Sequence, residues 1–198
     1  MEALTVNEMK SLLMLLKEPS EEYNARTLGK KQGITPMGAL KILKKMGRQN
    51  ILKPRKMGNA VYYEPNLGEE YPRKLFEFLL RKEAEEASPR VRRWVREARK
   101  LFGKSEAAIL FGSVLEKEDH ADVDLLLILT PAQGRKIDQE MEQLNSMSVK
   151  KIHAVKQTKK DLVENVRKKD PVVLNALSGG IIAYGYEKIV EAIADASR

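Results

Sequence analysis

Apolar positions recur at helical spacing near the start of the chain and then change to a strand-like pattern. Val6–Lys17 carries enough apolar residues three or four positions apart to bury one face of a helix, and a second short helix is predicted over about 24–31. A third helix is predicted over 35–48. Residues 51–63 form a predicted β-hairpin, with its turn at Gly58-Asn59.

The third helix has a clear start in the sequence. Thr35 is a favoured N-cap residue, and Pro36 is favoured at the first helical position. Leu40, Leu43 and Met46 follow at three-residue steps, so we predict that they face the core.

Residues 68–102 are predicted to be helical and are highly charged, with a fresh helix start at Ser88-Pro89. Leu75, Phe78 and Leu79 form an apolar set three and four positions apart. This set has two interpretations: it packs on the domains that the segment joins, or it pairs two copies of the chain as a homodimer.

Short apolar runs alternate with amphipathic segments in the remainder of the chain, which is typical of an α/β sandwich. The predicted order is a strand at 106–112, a strand at 122–130, a helix at 135–147, a strand at 150–157, helices at 158–168 and 170–178, a short strand at Ile181-Ile182 and a terminal helix. The fold class predicted for the whole chain is α+β.

Composition narrows the class of protein. Cysteine is absent from the 198 residues, so neither a disulfide framework nor a thiolate zinc site is available. The N-terminus lacks the basic-then-apolar layout of a signal peptide, and no apolar run approaches the roughly 18 residues of a membrane span. We therefore expect a soluble, cytoplasmic protein with no membrane partner.

The net charge of +8 is unevenly distributed, because no acidic residue occurs between Glu22 and Glu64. A surface that carries only positive charge favours binding to a polyanion such as DNA. The basic residues of this stretch are Arg26, Lys30, Lys31, Lys41, Lys44, Lys45, Arg48, Lys53, Arg55 and Lys56.

Chemistry-bearing residues flank two predicted strands in the C-terminal half. Gly112-Ser113 follows the first strand, and Asp122 and Asp124 open the second. Residues two apart on a strand point to the same face, so both carboxylates are predicted to project together. Such a pair can hold the divalent cations that accompany a nucleoside triphosphate, while a glycine lets backbone approach phosphate and a serine adds a hydroxyl donor.

The stretches 110–113 (Leu-Phe-Gly-Ser) and 121–126 (Ala-Asp-Val-Asp-Leu-Leu) resemble the core motif of the DNA polymerase β-like nucleotidyltransferases, in particular the small minimal nucleotidyltransferases of prokaryotes. The resemblance extends more weakly to 170–174 and 179–185, and so covers about residues 104–198. It implies a polymerase β-like α/β sandwich that transfers a nucleoside monophosphate from a triphosphate, expected to be ATP, with Mg²⁺ or Mn²⁺.

The resemblance also implies roles for particular residues. Gly112 and Ser113 would bind the phosphates, and Asp122 and Asp124 would be catalytic metal ligands. A third carboxylate is expected on the next strand, where this chain carries His153. His153 has three interpretations: a metal ligand, a general base, or a polar residue on a strand that no longer catalyses.

Three helices followed by a basic hairpin resemble a winged helix-turn-helix domain, in which the third helix enters the major groove of DNA. The resemblance implies a reading helix over 35–48 and a wing over 53–63. The candidate contacts to bases are Met37, Gly38 and Lys41. The candidate contacts to phosphates are Lys44, Lys45, Arg48, Arg55 and Lys56.

The sequence thus predicts a winged helix-turn-helix domain at 1–66, a helical connector at 67–103 and a minimal nucleotidyltransferase domain at 104–198. The leading hypothesis is a DNA-binding protein that transfers a nucleoside monophosphate to a protein or RNA acceptor. The alternative is a transcriptional regulator whose nucleotidyltransferase domain is catalytically impaired and serves as a nucleotide sensor or scaffold. Addition of nucleotides to RNA is a third option.

Overall fold

The computed structural model describes residues 3–116 and 122–197 and has a mixed α+β fold. It divides into two compact units, Met1–Leu79 and Leu80–Arg198. The helices of the first unit are α1 (Val6–Lys17), α2 (Ala25–Gln32) and α3 (Pro36–Arg48), followed by strands β1 (Leu52–Met57) and β2 (Ala60–Pro65). Helix α4 (Glu70–Glu86) begins in this unit and continues into the next.

Local capping explains where these helices begin. The Thr5 hydroxyl accepts a hydrogen bond from the Glu8 N–H, and the Glu8 carboxylate accepts one from the Thr5 N–H, which forms a capping box at α1. The Thr35 hydroxyl accepts the Gly38 N–H at 3.1 Å, and Pro36 occupies the first position of α3, as the sequence predicts. The predicted N-terminal helices and hairpin are confirmed.

The inward face of α3 differs slightly from the predicted one. Leu43 and Met46 are fully buried, as expected, but Leu40 is only half-buried and Ala39 takes the inward position. Spacings of four and three residues follow the 3.6-residue period more closely than two steps of three. The small Ala39 side chain therefore belongs to the buried face of α3.

The second unit is built around one four-stranded sheet in the order β5-β4-β3-β6. Strands β4 and β5 are parallel, and β3 is antiparallel to both of its neighbours. The elements are α5 (Pro89–Glu97), α6 (Arg99–Phe102), β3 (Ala107–Phe111), a 3-10 turn (Gly112–Leu115), β4 (Val123–Ile128), α7 (Gly134–Met147), β5 (Ile152–Gln157), α8 (Lys159–Arg167), α9 (Pro171–Gly179), β6 (Ile181–Tyr184) and α10 (Tyr186–Ala196). The predicted strands and helices of this region are confirmed, with shifts of a few residues at their ends.

Helices cover both faces of this sheet. One face, including Leu110, Val123 and Leu125, packs against α5, α6 and α7 in a single core with Trp94 and Ile137. Helices α8, α9 and α10 contact the strands from the other side. No helix in the described part of the chain combines the length and apolar character needed to cross a bilayer.

Candidate functional site

The candidate site lies at the edge of the sheet where β3 ends and β4 and β5 begin. Phe111, the last residue of β3, is paired in register with Asp124 of β4. Directly after Phe111 the chain turns into the 3-10 turn through Gly112, whose φ is +79°. The left-handed backbone at Gly112 favours glycine, because a Cβ there is strained.

The Asp124 carboxylate lies against the backbone of Gly112. A Cβ added at Gly112 would overlap Asp124 Oδ2 and come within 3.3 Å of Asp124 Cγ. Glycine is therefore favoured at this position for two reasons: its backbone has a positive φ, and the Asp124 carboxylate occupies the space that a Cβ would need. The glycine-serine turn and the second aspartate, which are well separated in sequence, become neighbours in this way.

The structure also brings His153 to the two aspartates. In the parallel ladder between β4 and β5, Asp124 is paired with His153, so their side chains emerge on the same face of the sheet. Asp122 precedes β4 by one residue, and its Oδ2 lies 3.7 Å from His153 Nε2. Both side chains are open to solvent, with 64% of His153 and 46% of Asp122 exposed. Ala121, the first residue of the motif, lies outside the described residues.

Carboxylates such as those of Asp122 and Asp124 are the type of group that binds a divalent cation together with a nucleotide. Mg²⁺ keeps several waters and is commonly bound by one or two carboxylates together with substrate phosphates, so it does not need a closed protein cage. Within 3–116 and 122–197, no three Asp, Glu or His side chains are arranged as a metal-binding group. Asp122 and Asp124 therefore suit a cation shared with a phosphate ligand, and an imidazole beside them suits Mn²⁺ better than Mg²⁺.

Arg90 stabilises the end of the 3-10 turn, a role that the sequence does not predict. Its Nε donates to Val114 O at 2.9 Å, and its Nη2 donates to Leu115 O at 3.1 Å. The guanidinium thus satisfies two carbonyl groups at the end of the 3-10 turn that begins with Gly112 and Ser113. No local motif marks this arginine, because its partners lie more than twenty residues further along the chain.

We predict that Gly112→Ala destabilises the second unit and displaces the Asp124 carboxylate. The positive φ alone costs about 1–2 kcal/mol for a residue with a Cβ, and the overlap with Asp124 adds to this. Chemical denaturation measures the loss. Gly134→Ala is the matched control, since a methyl group added at Gly134 meets no atom within 4 Å and the new alanine is expected to be neutral or stabilising. Equal stability of the two variants would contradict the prediction.

The candidate DNA-binding residues differ in their solvent exposure and in their ion pairing. Met37, Lys41, Lys44 and Arg48 are exposed on α3, and Gly38 is half-buried. On the hairpin, Lys56 is exposed, while the exposed Arg55 donates to Glu22 at 2.9 Å.

Lys45 is not a free surface cation. Its Nζ lies 2.9 Å from Glu8 Oε1, and only 26% of the Lys45 side chain and 7% of the Glu8 side chain are exposed. The pair joins α3 to the start of α1. Lys45 therefore holds the helix in position, and the exposed residues of α3 are better placed for a ligand.

The pair makes the stability of the first unit depend on pH. Burial by itself raises the pKa of Glu8, but hydrogen bonds from the Thr5 N–H and from Lys45 outweigh it and hold the pKa below the usual 4.5. A carboxyl group with a lowered pKa stabilises the fold above its unfolded-state pKa, and this contribution is lost as the pH falls through the folded-state value. We predict that Glu8→Gln flattens the dependence of the unfolding free energy on pH below about 4.5.

Thermal or urea unfolding between about pH 6 and pH 3 measures this dependence. Glu21→Gln is the control, because Glu21 is an exposed glutamate of the same unit. Identical pH profiles for Glu8→Gln and the native chain would rule out the stabilising role of the Glu8–Lys45 pair.

Comparisons with known proteins add no information about this site. No protein-family model, no curated protein and no solved structure matches this chain. The function is therefore inferred from the residues and contacts described above.

Proposed function

We propose that the chain is a DNA-binding nucleotidyltransferase. The second unit would be a polymerase β-like nucleotidyltransferase that transfers a nucleoside monophosphate, expected to be AMP from ATP, to a protein or RNA acceptor. The observation that carries this proposal is the contact between the Asp124 carboxylate and the Gly112 backbone. It joins a turn suited to phosphate with the carboxylate pair suited to a cation.

Each part of the site has a role in the proposed reaction. An oxygen of the acceptor attacks the α-phosphorus, the bond from that phosphorus to the bridging oxygen breaks, and pyrophosphate leaves. The Ser113 hydroxyl and the backbone that follows Gly112 would hold the outer phosphates. Asp122 and Asp124 would bind Mg²⁺ or Mn²⁺, which supplies charge stabilisation for the phosphates.

His153 is the candidate for proton transfer. A neutral imidazole can act as a general base, and 64% of the His153 side chain is exposed, so an acceptor can reach it. Its pairing with Asp124 keeps it on the same face as the proposed metal ligands. His153 would thereby take the proton of the attacking hydroxyl.

The first unit supports the DNA-binding part of the proposal. Three helices followed by an antiparallel hairpin fit a winged helix-turn-helix domain, in which α3 enters the major groove and the β1–β2 hairpin contacts the backbone. The exposed Met37 and Lys41, with Gly38, would face base edges. Lys44, Arg48 and Lys56 would contact phosphates.

The position of a radioactive label tests the reaction. The chain is incubated with Mg²⁺ or Mn²⁺, candidate acceptors and ATP labelled either at the α- or at the γ-phosphorus. Nucleotidyl transfer puts the α-label on the acceptor and releases the γ-label as pyrophosphate. No transferred label, or transfer of the γ-label, would refute the proposed reaction.

A second candidate function is favoured by the imidazole at position 153. A histidine in place of an acidic side chain weakens a Mg²⁺ site, so the fold would then act as a nucleotide sensor in a transcriptional regulator. DNA affinity measured with and without ATP distinguishes the two functions. A regulator changes its affinity for DNA when ATP is present, although no label is transferred.

A further inference from the structure

The second unit carries a row of arginines on the outer side of α5 and α6. Arg92 and Arg96 are four residues apart in α5, and Arg99 begins α6. All three residues are exposed, and we refer to them as the arginine stripe.

The arginine stripe lies opposite the buried side of these helices. Trp94 and Ala98 are buried in the core of the second unit, at positions that alternate with the arginines. The chain keeps a helical path across the junction, since the Ala98 N–H bonds to Trp94 O and the Phe102 N–H bonds to Ala98 O. The three guanidinium groups therefore point away from the core, along about 10 Å of helix axis.

The arginines of the stripe have no partner among the described residues. No hydrogen bond or ion pair of their side chains occurs in 3–116 or 122–197. By contrast, two nearby cationic side chains have ion-pair partners: Arg93 is paired with Glu97, and Lys104 is paired with Glu140. Exposed guanidinium groups that have no ion-pair partner among the described residues repel one another, and an external anion relieves this repulsion.

We propose that the arginine stripe binds the phosphate backbone of double-stranded DNA. Guanidinium groups match phosphate oxygens with two parallel hydrogen bonds, and three of them along two consecutive helices suit a regularly charged polymer. The aromatic residues of α5 and α6, Trp94 and Phe102, are both buried, so this surface offers no ring on which an unpaired base could stack. Single-stranded nucleic acid typically requires such rings, which favours a duplex.

The inference rests on the DNA-binding part of the proposed function and extends it to the second unit. It does not require nucleotidyl transfer. It assigns the stripe to positioning of the duplex, since contacts to phosphate carry no base sequence.

The test compares two triple variants of the full chain by titration of a fluorescent duplex at several salt concentrations. In the stripe variant, Arg92→Gln, Arg96→Gln and Arg99→Gln are combined. The control combines Lys160→Gln, Lys168→Gln and Lys188→Gln, which removes the same charge from lysines that are paired with glutamates in the same unit. Lys160 and Lys168 are exposed, and 44% of the Lys188 side chain is accessible to solvent.

The stripe variant is expected to bind the duplex roughly 10- to 100-fold more weakly near 0.1 M salt, and to lower the slope of log K against log salt concentration by about 2–3. The control is expected to keep the native slope. A third variant, with lysine at the three stripe positions, retains the charge and should keep most of the slope.

Each other outcome has a distinct meaning. If the native chain binds the duplex and the stripe variant matches the control, the stripe proposal is wrong while DNA binding by the first unit stands. If single-stranded DNA or duplex RNA of equal length competes better than duplex DNA, the proposed ligand is wrong. If the native chain does not bind duplex DNA at all, the DNA-binding part of the proposed function is itself refuted.

Discussion

Replacing Asp122 and Asp124 together by asparagine is expected to slow nucleotidyl transfer by about a thousandfold or more. The two carboxylates are the proposed ligands of the cation, and several kcal/mol of charge stabilisation in the transition state depend on that cation. Asparagine keeps the size and shape of each side chain, so the contact of residue 124 with Gly112 need not change. Single-turnover rates with α-labelled ATP measure the effect.

A pair of carboxylates elsewhere in the same unit provides the control for this double variant. Asp138 and Glu164 are ion-paired with lysines outside the site. Asp138→Asn with Glu164→Gln removes the same charge, and we expect near-native rates. Transfer at the native rate by the Asp122/Asp124 variant would show that another group binds the cation.

Reversing the charge of Lys41 and Lys44 is expected to weaken DNA binding by about a hundredfold at moderate salt. Both residues are exposed on α3 in the stretch without acidic residues. Loss of the proposed phosphate contact of Lys44 lowers the salt dependence, and the carboxylate added at each of the two positions repels the DNA backbone. Titration of a labelled duplex with the Lys41→Glu, Lys44→Glu variant measures both effects.

The control reverses two charges on other surfaces of the first unit. Lys10 is exposed on α1, and Lys74 is paired with Glu77 on α4. Lys10→Glu with Lys74→Glu changes the net charge equally, so comparable weakening in both variants would indicate binding through overall charge and would remove α3 from the interface. Lys45 is unsuitable for this test, since a carboxylate there would face the nearly buried Glu8.

The sequence predicts much of the fold because the ends of its elements are fixed locally. Capping side chains such as Thr5, Thr35 and Asp170 accept hydrogen bonds from residues two or three positions away, and these motifs are visible in the sequence. The central strands are almost continuously apolar and are buried on both faces of the sheet. These short-range patterns can be recognised without knowledge of the tertiary contacts.

Local sequence patterns do not predict contacts between segments that are far apart in the sequence. The basic stretch of α3 predicts an exposed Lys45, yet a glutamate from α1 pairs with it. The role of Arg90 depends on two carbonyl groups of a turn that its own helix does not contain. Side-chain partners of this kind depend on how the helices pack.

The candidate site can be predicted only in part from the sequence. The period of two along the predicted strand predicts that the two aspartates share a face, and the proximity of Asp124 to Gly112 follows from the register of β3 and β4. The sequence gives no means of deriving that register. The pairing of His153 with Asp124 likewise depends on the parallel register of β4 and β5.

We propose that the Gly112–Leu115 turn and the aspartate pair form a metal-dependent site for a nucleoside triphosphate. Calorimetric titration of the chain with a non-hydrolysable ATP analogue, with and without Mg²⁺ or Mn²⁺, tests this claim most directly. We predict binding that strengthens when the metal is present and loses this dependence in Asp124→Asn. Absence of binding, or binding of equal strength with and without metal in both proteins, would contradict the claim.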